Sequence, residues 1–181
     1  MTFDKKLIMK TYKVVSMSIL LIIAIANTSN AQMKKKWRDY LIAGSSVFVS
    51  GMLDGTIETI NYHYETGFKP RFPNANDQFW NPAISWKNKY KNGDPKLGPK
   101  FTGSTTIFAC STDAYHLLRT SKRTIDGTTL VYYLNQSCND KKTSNKKKWI
   151  KAAKDFAILT GIRCVGFHLT YSVIFKPQMV Y

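Results

Sequence analysis

Acidic residues are scarce in this chain: 11 Asp and Glu stand against 27 Lys and Arg in 181 residues, a formal charge of +16. That excess disfavours a cationic partner and suits an anionic one. Cysteine is scarcer still. Cys110, Cys138 and Cys164 are the three present, and none stands in C-x-x-C, so the spacing supports neither a redox pair nor a zinc ribbon. An odd count leaves open one bridge with a free thiol, or no bridge. Also missing are G-x-S-x-G, H-E-x-x-H, a P-loop and a Rossmann glycine pattern, which sets aside the enzymes built on those signatures. Beyond the N-terminal segment, uncharged runs are short: 14 residues at 40–53, 13 at 127–139 and 12 at 164–175. Each falls below the roughly eighteen expected of a clear membrane span.

What is present begins with an N-terminal division of labour. Lys5, Lys6, Lys10 and Lys13 precede an uncharged run from Val14 to Ala26, and Ser29 and Ala31 then occupy the small-residue positions of a cleavage site. The pattern predicts a bacterial-type secretory signal over 1–31, cleaved after Ala31, with an uncleaved anchor as the alternative. Residues 32–181 then form a single helical envelope domain, long enough to bury a core without disulfide staples. They carry 23 of the 27 basic and 10 of the 11 acidic residues, a formal charge of +13. After export, nucleic acid is not the expected partner; anionic lipid headgroups or acidic envelope glycans are.

The expected fold is mainly α, a small helical bundle with a long irregular aromatic-basic excursion; a membrane-embedded bundle is the alternative. A helix is predicted over 39–65, where Gly44, Ser45, Ser46, Ser50, Gly51 and Gly55 would let another backbone come close. Residues 66–103 hold five of the six prolines and read as the excursion. Within it, Asn81 and Pro82 signal the start of a short helix that Asn92-Gly93-Asp94 stops. A second helix is expected over 104–123, opened by Ser104 or Thr105. Residues 127–138, rich in β-branched and aromatic residues, fit a strand, although Asp126-Gly127 admits either state. The lysine-rich loop 139–148 and a last helix over 149–175, stopped by Lys176-Pro177, complete the chain.

Polar residues on these helices fall in seams. Asp54, Glu58, Asn61 and Glu65 share a stripe at i, i+4, i+7 and i+11; Asp113 and His116 share a face at i, i+3; Cys164 and His168 stand at i, i+4. Turned inward together, Glu58, Asp113, His116 and His168 would make a metal set, with Asp54 or Cys164 in reserve. A metal-free version uses His116 as general base oriented by Asp113, because imidazole titrates near neutral pH. Arg119, Lys122 and Arg123 follow, either as helix C-terminal cations or as a phosphate clamp. The competing expectation is that the seams are solvated faces and satisfied boundary histidines.

The excursion offers a different chemistry. In "QFWNPAISWKNKYK", Trp80, Trp86 and Tyr90 alternate with Lys87, Lys89 and Lys91, a pattern suited to an anionic membrane interface or to stacking on a sugar. The stretches "NANDQFWNPAISWKNKYKNGD", "GPKFTGSTTIF" and "STDAYHLL", in this order over residues 74–118, resemble uncharacterised exported or membrane proteins of bacterial envelopes. That resemblance implies an envelope location and carries no catalytic residue. The leading expectation is therefore an exported protein that associates with the membrane surface, or another anionic envelope component, through residues 79–91 and the loop 139–148. Its rival is an enzyme or metal protein using the Asp/His/Glu cluster, acting on a phospholipid or phosphorylated glycan.

Overall fold

A computed structural model of the chain describes residues 35–139 and 143–177; the signal segment expected at 1–31 and the middle of the lysine loop lie outside the described residues. The chain divides into two compact units, Met1–Ile42 and Ala43–Tyr181. The fold is mainly helical. Among the described residues no strand forms, and β pairing is limited to the isolated bridge between Tyr90 and Pro99.

Three long helices make the trunk: α1 (Lys35–Tyr62), α2 (Ala114–Asn139) and α3 (Asn145–His168). The first and last agree with the expected helices 39–65 and 149–175 once their ends are included, because each continues into a single wider turn, Tyr64–Phe68 and Leu169–Ile174. Small residues set how α1 and α3 meet. A Cβ built on Gly51 would lie 2.1 Å from the Arg163 carbonyl oxygen, one on Gly166 2.3 Å from that of Phe48, and one on Gly55 2.7 Å from that of Phe167. The two backbones touch, with positions rising together along both helices, so α1 and α3 run parallel. This close approach is what the small-residue stripe of 44–55 predicted.

Helix α2 departs from expectation at both ends. It starts ten residues later than Ser104, after turns and a 3-10 turn at Ala109–Ser111, and it runs straight through Asp126-Gly127 to Asn139. The strand expected at 127–138 is therefore helix. One local and one tertiary feature accompany it. Thr124, Thr128 and Thr129 return their hydroxyls to carbonyls one turn back, at 3.0, 2.9 and 2.7 Å, so these polar side chains are satisfied within the helix. Asp126, the residue that would open a turn, has its carboxylate engaged by Ser50 and Lys122 instead. Tertiary contact overrides local preference here. Contacts of α2 descend as those of α1 and α3 ascend, from Tyr133 with Asp155 to Asp126 with Arg163 and Lys122 with Asp54, so α2 is antiparallel to both.

The excursion between α1 and α2 covers one end of the trunk. Asn76 and Asn81 cap one-turn helices at Asp77–Trp80 and Pro82–Ser85 through bonds to the Gln78 and Ala83 amides, with Pro82 in the first turn as its fixed φ favours. The buried cluster of Ile60, Tyr64, Phe68 and Phe175 receives Trp80, Tyr115 and Leu118 from the excursion and α2. Tyr64 donates to Asp77 at 2.7 Å, and Lys69 also binds that carboxylate.

Candidate functional site

Asp113 stands immediately before α2, and this position determines what the Asp113–His116 pair is. Its Oδ1 accepts the backbone N–H of His116 at 2.9 Å, the bond of a helix N-cap. The same carboxylate receives His116 Nδ1 at 2.9 and 2.8 Å and the Thr112 hydroxyl at 3.0 Å. Only 2% of Asp113 is exposed. Facing a carboxylate that accepts, Nδ1 is the ring's donor in this pair. The arrangement is a cap that also orients an imidazole.

The expected metal set does not assemble. Among the described residues no group of three or more His, Cys, Asp or Glu is placed to share an ion, so Glu58 and His168 do not join Asp113 and His116. His168 is exposed and meets Ser172 of its own segment at 3.3 Å. Cys110 and Cys164 carry free thiols.

A second polar constellation, which the sequence did not disclose, joins all three helices. Arg163 of α3 donates to Asp54 of α1; Lys122 of α2 lies 3.4 Å from Asp54 and 3.2 Å from Asp126; Arg163 also approaches Asp126 at 3.7 Å. Ser50 adds a hydroxyl to Asp126 at 2.5 Å. Two acids and two bases thus close a neutral ring in which every charge has an opposite neighbour. Asp54, a reserve metal ligand in the sequence reading, pairs here with two cations. Lys122, for which the sequence offers a helix end or a phosphate, stands seventeen residues before the end of α2, and its partners are the Asp54 and Asp126 carboxylates. The available signal was Arg163 itself, the one Lys, Arg, Asp or Glu between Phe156 and Phe175.

Of the expected anionic-surface residues, Trp80 is committed to the core, stacked on Phe68 with centroids 5.2 Å apart. The rest form a face. Lys87 lies over the Trp86 ring at 5.7 Å and Lys89 over Tyr90 at 5.5 Å, while Lys91 is exposed. The bridge at Tyr90–Pro99, with Lys91 N–H to Gly98 and Lys100 N–H to Lys89, folds exposed Leu97 and Phe101 back beside them. A Ser104 hydroxyl on the Lys89 carbonyl, at 2.7 Å, fastens the turn. The result is a face that is apolar and basic together.

Comparison with family models, with curated proteins and with solved structures finds no match to this chain, so no relative's activity bears on it.

Proposed function

We propose that this is a membrane protein of the bacterial envelope, held by α1 and α3 in the hydrocarbon and by the basic aromatic face on anionic headgroups. The observation that carries it is α3. Together with its terminal turn it is long and apolar enough to cross a bilayer, as is Trp37–Tyr62, yet only 11% of its most apolar stretch is buried. Trp149, Phe156, Val165 and Val173 are each more than half exposed along its length. Soluble monomers rarely show so long an apolar face. From Phe156 to Phe175 is twenty residues, about 30 Å of helix and the thickness of the hydrocarbon core.

The interior charges fit the same reading. Ionisable groups at membrane depth turn inward and pair, as Asp54, Lys122, Asp126 and Arg163 do. Arg119 and Arg123 on the outer side of α2 lie in its half nearer the excursion, and helical side chains lean toward the N-terminus, so both can reach back toward headgroups. Lys146, Lys147, Lys148 and Trp149 open α3, the basic-aromatic pattern of a membrane interface.

Cys164 tests this directly, because it is exposed in the protein and stands near the middle of the apolar stretch from Phe156 to Phe175. With Cys110→Ser and Cys138→Ser in place, Cys164 in intact membranes should resist a water-soluble maleimide and react only after denaturation. Reaction in intact membranes at the rate of a free thiol would place that face in water and overturn the proposal.

A further inference from the structure

Between α2 and α3 runs an open groove of about 700 Å³, its walls Val47, Leu130, Leu134, Ala153, Phe156 and Leu159. One end is bounded by Asp126 and Arg163 of the charge ring, the other by Trp149. From Trp149 to Arg163 is fourteen residues, about 21 Å of helix. One leaflet holds about 15 Å of hydrocarbon, half of a core of roughly 30 Å. With the hydrocarbon beginning at Phe156, the groove runs from the interface at Trp149 to about 10 Å inside one leaflet, short of the midplane, and so matches the upper part of a lipid chain with its headgroup at the Trp149 end.

Charge identifies which lipid. Beside the Trp149 end stand Lys146, Lys147 and Lys148 in the first turn of α3, at the positive end of the helix dipole; the Lys148 N–H itself donates to the Ser144 carbonyl at 3.0 Å. Lys151, one turn further, holds Asp155 at 2.5 Å and lies over Tyr133, so that acid is already neutralised and does not repel a phosphate. We infer that the α2–α3 groove binds one anionic glycerophospholipid, its phosphate on Lys146–Lys148 and one acyl chain against Ala153 and Phe156. This rests on the membrane reading above and adds a defined lipid site to it.

The experiment is native mass spectrometry of the full-length, detergent-solubilised protein with phosphatidylglycerol or phosphatidylcholine of identical chains. The expected result is a single phosphatidylglycerol adduct, held at least about tenfold more tightly than phosphatidylcholine, since Lys146 and Lys148 flank the groove side of α3 while Lys147 adds only longer-range charge. Ala153→Trp, which fills the groove, should remove the adduct. Lys146→Gln/Lys147→Gln/Lys148→Gln should lower phosphatidylglycerol to the affinity of phosphatidylcholine. Equal binding of the two lipids by the unaltered protein would overturn the inference. So would an adduct that survives Ala153→Trp, or a dimer that Ala153→Trp dissolves, which would make the groove an interface between copies. Membrane retention of the unaltered protein separates the two levels: a retained protein that shows no preference for phosphatidylglycerol defeats this site alone, and one that is not retained defeats the membrane reading.

Discussion

Gly51 of α1 faces the carbonyl oxygen of Arg163 so closely that a Cβ at residue 51 would lie 2.1 Å from it. Nothing flexible occupies that contact, so a side chain there must push two helices apart. Gly51→Ala is expected to destabilise the trunk by about 1–3 kcal/mol, the usual cost of overpacking. Gly161→Ala is the control, because a Cβ there meets nothing within 4 Å. It should stabilise by roughly 0.5–1 kcal/mol, as alanine does over glycine inside a helix. Thermal unfolding of both variants in one detergent checks the pair of signs, and equal behaviour would contradict the packing described.

The charge ring predicts coupling. Arg163→Gln leaves two carboxylates facing Lys122 alone, and Asp54→Asn leaves two cations facing Asp126 alone. Each single change should cost about 2–3 kcal/mol, short of the penalty for a fully buried pair because the groups are about a third exposed. The double change should cost less than the sum by at least about 0.5 kcal/mol. A denaturation double-mutant cycle measures this, and strict additivity would show that the ring is not a unit.

Asp113 and His116 are separable. Asp113→Ala removes the N-cap of α2 and should cost about 1 kcal/mol, whereas Asp113→Asn should retain most of it. His116→Gln leaves the cap bond in place and should leave both stability and membrane retention unchanged. Release of the His116→Gln variant from membranes, with its circular dichroism intact, would give the imidazole a part in attachment that the structure does not assign.

Stability should depend on pH through Tyr64 and Asp77. Lys69 and the Tyr64 hydroxyl hold the Asp77 carboxyl below its ordinary range, so its contribution is present above roughly pH 4 and is lost as pH falls through its lowered value. Burial, then the Asp77 bond, pushes the Tyr64 hydroxyl upward, so its contribution is present below roughly pH 10 and is lost as pH rises beyond. The fluorescence of Trp80, stacked on Phe68 beside this pair, should report loosening at both extremes. In Asp77→Asn the acid-side change should disappear.

Helices α1 and α3 were legible because their apolar runs and the small-residue stripe are local patterns. So was the Asn81-Pro82 start, where the amide side chain and the fixed proline φ act within two residues. The continuation of α2 was not legible. Asp126-Gly127 carries a turn signal, and what cancels it is Ser50, seventy-six positions away. The charge ring was hidden for the same reason, since Asp54, Lys122, Asp126 and Arg163 become neighbours only when three helices pack. Asp113–His116 was visible as a pair three residues apart, but its role as a cap followed only from where α2 begins.

The measurement that decides most is an alkaline carbonate wash of membranes carrying the full-length protein. Carbonate strips proteins held by charge on headgroups and leaves those held by hydrocarbon. With the exposed apolar length of α3 in lipid, the protein should remain in the pellet. Release into the supernatant would contradict the membrane reading and leave the apolar face of α3 to be covered by protein.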